Sequence, residues 1–497
     1  MADSTTGTIE NLALVMANLS HSIEELKATI ASLNSTIDSL KAENECEPKL
    51  LEDISYTRTK KKQKGKIDIK LDNLKHVKKV YDIDEKDRVC DECGSKLSYV
   101  GEEFVRHEVV YEPAKLYVKD IYRKTYECRN CRKKGKAVIL KAGTPQPVVP
   151  HSYTSPSVLS QVIIDKYVNH MPLYRQESEW KRLGMELSRT TMANWIIIAA
   201  KEYFIPLVNR MHELMMKESH IHCDETPVQV LNEPGKKVTS KSYMWVYSSI
   251  KESKRPVKIF DYRPDRKATN PQEFLKGFDG TIITDGYYGY NHIDGVTNAY
   301  CWAHARRKFY DALPVDMKNA SDTLANTAVE KIARLFAIEK QIETLSPDKK
   351  AKIRQEKSKP LVDDFFLWYK YNQNKVLTAS KTGKAIQYAL NYETGLRSFL
   401  EDGLVPMTNS LDERTIRPFT VGRKNWLFST STKGAEARAA VFSLIETAKA
   451  NKLNPYDYIE FILDYLPQQD LVEDPKKLDW FLPWSEEIKE EFEIKAD

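Results

Sequence analysis

Two stretches decide how this chain is read: His220-Ile-His222-Cys-Asp224-Glu225-Thr226, which alternates polar and apolar residues, and Thr281-Ile-Ile-Thr284-Asp285-Gly286, a short apolar run closing on an acid. Alternation with a period of two is the mark of a half-buried strand. Between them, Val228 to Leu231, Tyr243 to Ile250 and Val257 to Asp261 read as further short strands, separated by turn residues such as Pro234-Gly235. This is a three-strand meander. After the second acid, Ala299-Tyr-Cys-Trp302 leads into a helix from His304.

A meander followed by strands joined to helices predicts a ribonuclease-H-like α/β core over 219–433. Asp224 falls on the first strand and Asp285 at the end of the fourth, so neighbouring strands would bring both carboxylates to one point. Hard divalent cations take oxygen ligands, and two of them ~3.5–4 Å apart stabilise both oxygens of an in-line phosphoryl displacement. A third carboxylate would complete the cage. The residues alone leave Glu401, Asp412 and Glu413 open, although Asp412-Glu413-Arg414 precedes the basic and aromatic stretch Arg417 to Phe428.

Outward from this core, Ser155 to about Glu218 reads as helical, after a stiff linker marked by Pro145, Pro147 and Pro150. Within 151–218, a helix over Arg175 to Arg182, a turn at Leu183 to Leu187, and Ser188 as N-cap of a second helix have the form of a helix-turn-helix. That second helix presents Arg189, Thr190 and Asn194 where base edges would be read, and an ordinary helical hairpin is the plainer alternative. Residues 311–404 read as a helical insertion. The span 434–497 reads as a helix from Gly434 to Lys449, a second from Pro455 to Leu466, and an acidic tail from Asp470.

The N-terminal third has a different character. Ile9, Leu12, Met16, Leu19, Ile23, Leu26, Ile30, Leu33, Ile37 and Leu40 keep a 3-4 spacing within 1–46, with Leu at every d position, which predicts a parallel coiled-coil homodimer. The linker 47–88 is basic. Arg58, Lys60, Lys61, Lys62, Lys64 and Lys66 open a run that suits phosphate contact without sequence specificity. In 89–150, Cys90-x-x-Cys93 and Cys128-x-x-Cys131 predict one closed structural zinc site, with Val105 to Tyr122 between them read as a hairpin. Cys46, Cys223 and Cys301 are scattered.

Several residues near the acids carry two readings. His220 and His222 share a strand face with Asp224 and could ligate a transition metal or be surface and supporting histidines. His304, Arg306, Arg307 and Lys308 are phosphate contacts or the polar face of a helix whose core residue is Phe309. Tyr287, Tyr288 and Tyr290 stack on a base or pack a turn.

Composition sets the outer bounds. With 497 residues, 41% hydrophobic and 30% charged, the chain has the make-up of a soluble globular protein of about three domains. Its longest apolar run, Trp195 to Ala200, is far short of a membrane span, and the Met-Ala-Asp-Ser-Thr-Thr start carries no secretory pattern. A cytoplasmic protein is expected, with no membrane partner.

Several motifs together resemble the transposases of the insertion sequence 66 family over nearly the whole chain. They are the Cys-x-x-Cys pairs, His170-Met-Pro-Leu-Tyr-Arg-Gln176, His222-Cys-Asp-Glu-Thr226, Thr284-Asp-Gly-Tyr287, Cys301-Trp-Ala-His-Ala-Arg-Arg-Lys-Phe309, Glu413-Arg-Thr-Ile-Arg-Pro418 and Gly422-Arg-Lys-Asn-Trp-Leu-Phe428. The resemblance implies a DDE triad at Asp224, Asp285 and Glu413, holding two magnesium ions with manganese as an alternative. It adds Arg414, Arg417, Arg423 and Lys424 as contacts to phosphate. It implies transposon-end and target DNA as partners, small accessory proteins from the same element, and a place at the bacterial nucleoid. Where the family carries Asp-Asn before the Glu, this chain has Thr408-Asn409. A zinc-containing DNA-binding regulator and a metal-dependent nuclease without strand transfer are the competing readings.

Overall fold

The computed structural model describes residues 115–127, 139–314, 323–471 and 474–492, with isolated positions at 27, 85–87, 133 and 135. Two compact units divide the chain, Met1–Tyr111 and Glu112–Asp497. The first contributes a short 3-10 turn at Glu85–Asp87. The coiled-coil positions from Ile9 to Leu40, the basic residues Arg58 to Lys66, and Cys90, Cys93, Cys128 and Cys131 lie outside the described residues.

In the second unit, strands β1 (Thr125–Glu127) and β2 (Ile139–Lys141) pair antiparallel on either side of the second cysteine pair. The hairpin expected at Val105 to Tyr122 is not found over its described part, 115–122, which forms no strand. Tyr117, Val118, Ile121 and Tyr122 are all exposed there, so no apolar face is buried to favour pairing. The proline linker is docked: Val148 and Val149 are buried, and Tyr203 Oη donates to the Val148 carbonyl at 3.0 Å.

Four helices follow, α1 (Pro156–Tyr167), α2 (Leu173–Arg182), α3 (Arg189–Ala199) and, after a π turn at Ala200–Phe204, α4 (Ile205–Met215). Ser188 caps α3 as its sequence position suggests, its Oγ accepting from Thr191 N at 3.1 Å. Met192, Trp195, Ile196 and Ala199 turn inward from α3, leaving Arg189, Thr190 and Asn194 outside.

The sheet is built from β3 (His220–Asn232), β4 (Lys241–Ser249), β5 (Lys258–Arg263), β6 (Gly280–Thr284) and β7 (Val296–Tyr300) in the order β5-β4-β3-β6-β7. β5, β4 and β3 are antiparallel neighbours, while β6 and β7 add parallel strands. The runs His220 to Thr226 and Val228 to Leu231 form one strand with Pro227 inside it. Pro227 is tolerated because of where β3 has partners. On the side away from β4, β6 covers 220–222 and a later strand covers 229–232, so 223–228 has no strand there. The Pro227 carbonyl accepts from Arg423, so its ring nitrogen faces that open stretch and no ladder bond is lost.

Helix α5 (Thr269–Phe274) precedes β6, and α6 (Trp302–Tyr310) follows β7. Then come α7 (Leu324–Ile342), α8 (Pro347–Ile353), α9 (Lys359–Asn372), α10 (Lys381–Asn391) and α11 (Glu393–Glu401). All but α8 share a core of their own with α6, centred on Trp302, Phe309, Phe365, Phe366, Tyr369 and Phe399. Trp302 Nε1 donates to the Leu396 carbonyl at 2.8 Å, so even the indole N–H is satisfied inside it.

The chain then returns to the sheet through α12 (Ser410–Trp426), β8 (Phe428–Ser431) and α13 (Thr432–Ala450), followed by α14 (Pro455–Tyr465) and α15 (Glu486–Glu491). β8 is the strand that pairs with 229–232. β5 is an edge strand, and edge N–H and C=O groups invite pairing with other chains. Here α13 covers them. Ser443 Oγ accepts from Phe260 N at 2.8 Å, Thr447 Oγ1 accepts from Lys258 N at 3.0 Å, and Asn451 Nδ2 donates to the Pro256 carbonyl at 2.8 Å. The spacing of four puts all three on one helix face. The acidic stretch after Asp470 is no free tail over 474–492, since Phe481, Leu482 and Ile488 are buried and Asp479 pairs with Arg210 at 2.6 Å.

Candidate active site

β3 and β6 run parallel with His222 beside Ile283. Two more steps along the same register set Asp224 opposite Asp285, just past the last paired residues. Each carboxylate is oriented by a backbone N–H: Asp224 Oδ1 accepts from Glu225 N at 2.8 Å, and Asp285 Oδ1 from Tyr287 N at 2.8 Å. Gly286 makes the turn after Asp285 with φ +89°, which L side chains rarely adopt, and a Cβ there would meet the Tyr388 hydroxyl at 3.0 Å. That hydroxyl donates to the Asp285 carbonyl at 2.6 Å, tying the turn to α10.

α12 supplies the remaining acids. Asp412 is fully buried and Glu413 is exposed, because adjacent helical positions point about 100° apart. Glu413 Oε1 lies 3.6 Å from His304 Nε2 and 3.9 Å from Arg307 Nη2 on α6. Burial lowers the His304 imidazole's affinity for a proton, and the charges of Asp285 and Glu413 pull the other way. His304 therefore stands between the second acid and the third. Its Nδ1 is buried without a hydrogen-bond partner among the described residues.

The charge on this side of the sheet is only partly compensated. Burial raises the Asp224 carboxyl well above the usual carboxylate range, and Asp412, Glu225 and Asp285 raise it further. Burial likewise pushes Asp412 up to about 7, and neither of its oxygens has a close, well-directed partner, although Ser248 and Lys258 are near enough to oppose the shift. Glu225 is the contrast. Arg266 Nε donates to its Oε1 at 2.7 Å and Tyr290 Oη to its Oε2 at 2.9 Å.

Carboxylate oxygens massed without a cation suit a hard divalent ion by charge and by ligand type. Among the described residues, no three His, Cys, Asp or Glu side chains are close enough to form a finished cage. Asp224 and Asp285 are brought together, and Glu413 is linked to Asp285 only through His304.

His220 and His222 are not surface residues. Both are buried and act as braces: His220 Nε2 meets Asp402 Oδ2 at 2.9 Å, and His222 Nδ1 meets Asn409 Oδ1 at 2.5 Å. Burial drops the His222 imidazole to about 4, so it is neutral and donates to the amide oxygen. Asn409, noted in the sequence only as part of the Thr408-Asn409 pair, has a role that sequence reading did not assign. Its Nδ2 donates to the Cys223 carbonyl at 3.0 Å and its backbone N–H reaches Cys301 Sγ at 3.2 Å. It thus fixes the start of α12 against β3, and its place in the motif before Glu413 was the available signal. Tyr287 and Tyr290 pack the turn, with Arg266 3.8 Å over the Tyr287 ring, while Tyr288 is exposed.

The basic residues are scattered by comparison. Arg306 is half-buried beside Tyr310, Arg307 is exposed near Glu413, and Arg414, Arg417 and Lys424 are exposed on α12. Arg423 is tied to Thr226 Oγ1 at 3.1 Å and to Pro227. Arg189, Thr190 and Asn194 lie on α3, away from the acids, around a separate cavity beside α12 and α13.

Fold and site define an α/β protein whose sheet gathers carboxylates beneath a helix rich in cations. Residues 151–437 match the transposase IS66 family, residues 87–132 the zinc-finger binding domain of transposase IS66, and residues 443–484 the IS66 C-terminal element. The first match alone spans more than half of the chain, and the chain belongs to the IS66 family of transposases. All four cysteines of the paired motifs fall inside the zinc-finger match. The uncharacterized protein y4hP of Sinorhizobium fredii (strain NBRC 101917 / NGR234) is 30% identical over 414 residues, covering 80% of this chain and 73% of that protein. Proteins y4qI and y4jD of the same strain are 29% and 28% identical, over 79% and 81% of this chain and 73% and 79% of theirs. Among the described residues no helix is long and apolar enough to cross a membrane.

Proposed function

We propose that this transposase cuts element ends and joins them to target DNA, with Asp224, Asp285 and Glu413 as the acids that hold divalent metal. The observation that carries the reading is the register of β3 and β6, which sets Asp224 opposite Asp285 where β3, still paired with β4, has no strand on the β6 side. The strand order β5-β4-β3-β6-β7, three antiparallel strands and two parallel ones, supports a ribonuclease-H-like core. Two magnesium ions, or manganese, would supply charge neutralisation at the phosphate and a lowered pKa for the attacking water.

The chain's own residues set up the rest. Backbone N–H groups hold one oxygen of Asp224 and one of Asp285, leaving the other for a cation. His222 and Asn409 position α12, which carries Glu413 to His304. In the cleavage step a water oxygen bonds to phosphorus as the P–O3′ bond breaks, and the net proton passes to the released 3′-oxygen. In the joining step that 3′-hydroxyl bonds to a target phosphorus as the target P–O3′ bond breaks and the proton is again transferred. No covalent enzyme intermediate is needed.

The domain limits given above for 1–46, 47–88, 89–150 and 151–218 are part of this reading: a coiled-coil homodimer, a phosphate-contacting arm, one structural zinc at Cys90, Cys93, Cys128 and Cys131, and a helical DNA-binding segment. Work on DNA in a bacterial cell places the chain at the nucleoid, with accessory proteins of the element as further partners.

Glu413→Gln keeps size and removes charge. End cleavage in magnesium is expected to collapse while binding of the end duplex survives. Normal cleavage by Glu413→Gln with loss in Asp412→Asn would move the third ligand by one residue, and normal cleavage by both would overturn the triad. A joined product separates transposition from simple nuclease action.

A further inference from the structure

A cavity of about 440 Å³ lies between α1, α3, the junction of α12 with β8, and the start of α13. Lys166, Arg189 and Arg438 line it, and no carboxylate does. Arg438 is only 2% exposed, and none of its three guanidinium nitrogens has a hydrogen-bond partner among the described residues. A buried charge in proteins is ordinarily paired, because desolvation must be offset. Arg438 stacks 4.0 Å from the Phe419 ring centre and 5.5 Å from that of Trp426, and Lys166 Nζ lies 5.7 Å from the latter. Such contacts return part of the desolvation cost and supply no hydrogen-bond acceptor.

Two helix N-termini add to the positive field. Ser431 and Gly434 at the start of the 19-residue α13 line the cavity, as do Arg189 and Thr190 at the start of α3. Both ends are capped by a serine, Ser431 and Ser188, and the positive end of each helix dipole still favours an anion. Burial, with the charge of Arg438 beside it, lowers Lys166 to about 8, and burial, with Arg423 nearby, lowers Arg438 to about 10, as expected where positive charge is gathered without a counter-ion.

We propose that this cavity binds a backbone phosphate of DNA, with Arg438 and Lys166 supplying the opposing charge. The anion site stands on the buried guanidinium alone, and the choice of DNA as its source rests on the transposase reading. Arg189, Thr190 and Asn194 are exposed at its mouth, so a strand lying along α3 would pass the opening. The site is distinct from the acids around Asp224, which face α6 and the start of α12.

The test uses the full chain. In thermal unfolding at matched ionic strength, inorganic phosphate is expected to raise the melting temperature over chloride by several degrees, and Arg438→Gln and Lys166→Gln each to remove most of that rise. Without phosphate, Arg438→Gln should melt no lower than wild type, because it removes an unpaired buried charge. A lower melting temperature with an undiminished phosphate response would make Arg438 a packing residue and overturn the site. Should Arg438→Gln not fold, the partly exposed Lys166→Gln carries the same comparison. Binding of an element-end duplex, followed by anisotropy against salt, should weaken several-fold in both variants. Its log–log salt slope should fall by about one, the loss of one phosphate contact. A lost phosphate response with unchanged duplex binding would overturn DNA as the source. Because Glu413→Gln is read by cleavage and these variants by binding, failure of the acid triad and failure of this site are separable.

Discussion

Arg354 and Arg438 are equally buried, at 2% exposure, and their surroundings could hardly differ more. In the helical region between α6 and α12, Arg354 Nη1 donates to the carbonyls of Phe399, Asp402 and Val405 at 2.9 to 3.0 Å. Its Nε and Nη2 grip the two oxygens of Glu339 at 2.8 and 2.7 Å. On α13, the Arg438 guanidinium makes no hydrogen bond among the described residues. The acids repeat the contrast, with Glu225 held by Arg266 and Tyr290 while Asp224 and Asp412 crowd together, Lys258 being near Asp412 without bonding to it. A buried charge with its partners in place fixes the chain. One without them is a standing cost to the folded state, and the physical reason to keep it is something that binds.

The largest effect expected from this comparison is at Arg354. Arg354→Met leaves Glu339 and three carbonyls unpaired, so it should cost about 3–5 kcal/mol in urea unfolding. A loss under ~1 kcal/mol, the size of an ordinary surface pair, would break the distinction. It should also loosen the segment leading to α12, because Arg354 clasps residues 399–405.

Asp224→Asn should move the other way. In chelator it removes a buried carboxylate raised by burial and by three acidic neighbours, so stability should rise by on the order of 1 kcal/mol while end cleavage disappears. Destabilisation in chelator would mean that Asp224 is held by partners like those of Glu225.

The smallest effect is at Lys166. Its ammonium is lowered to about 8 from 10.5, so the unfolded chain binds more protons than the folded one between those values. Wild-type stability attributable to this group therefore rises with pH from about 8 to 10.5 and is lowest below 8. In phosphate-free buffer Lys166→Gln should be slightly the more stable at pH 7, with the gap closing by pH 10.5. Bound phosphate should reverse the sign at pH 7, and denaturant melts at three pH values would show whether it does.

Much of the framework was legible beforehand because its causes are local. Period-two alternation marked the start of β3, Ser188 sat where an N-cap belongs, and Gly434 and Pro455 fell at the starts of α13 and α14. The errors came where distant parts of the chain intervene. The acidic residues after Asp470 suggested a tail, yet Phe481 and Ile488 have a core to enter. His220 and His222 could have been metal ligands or surface or supporting histidines, and what overturns the surface reading is their burial as braces to Asp402 and Asn409, more than 180 residues away.

The sequence by itself determined the strands and helices around the acids and the motifs that mark the family, because backbone hydrogen bonding and capping depend on residues within a turn or two. Only the tertiary structure decided that Asp224 lies opposite Asp285, that Asn409 locks α12 onto β3, and that Arg438 is buried without a partner. Whether a charge is compensated depends on groups brought from elsewhere in the chain. Arg354 and Arg438 are the same residue type on helices, and nothing in their immediate neighbours along the sequence tells them apart.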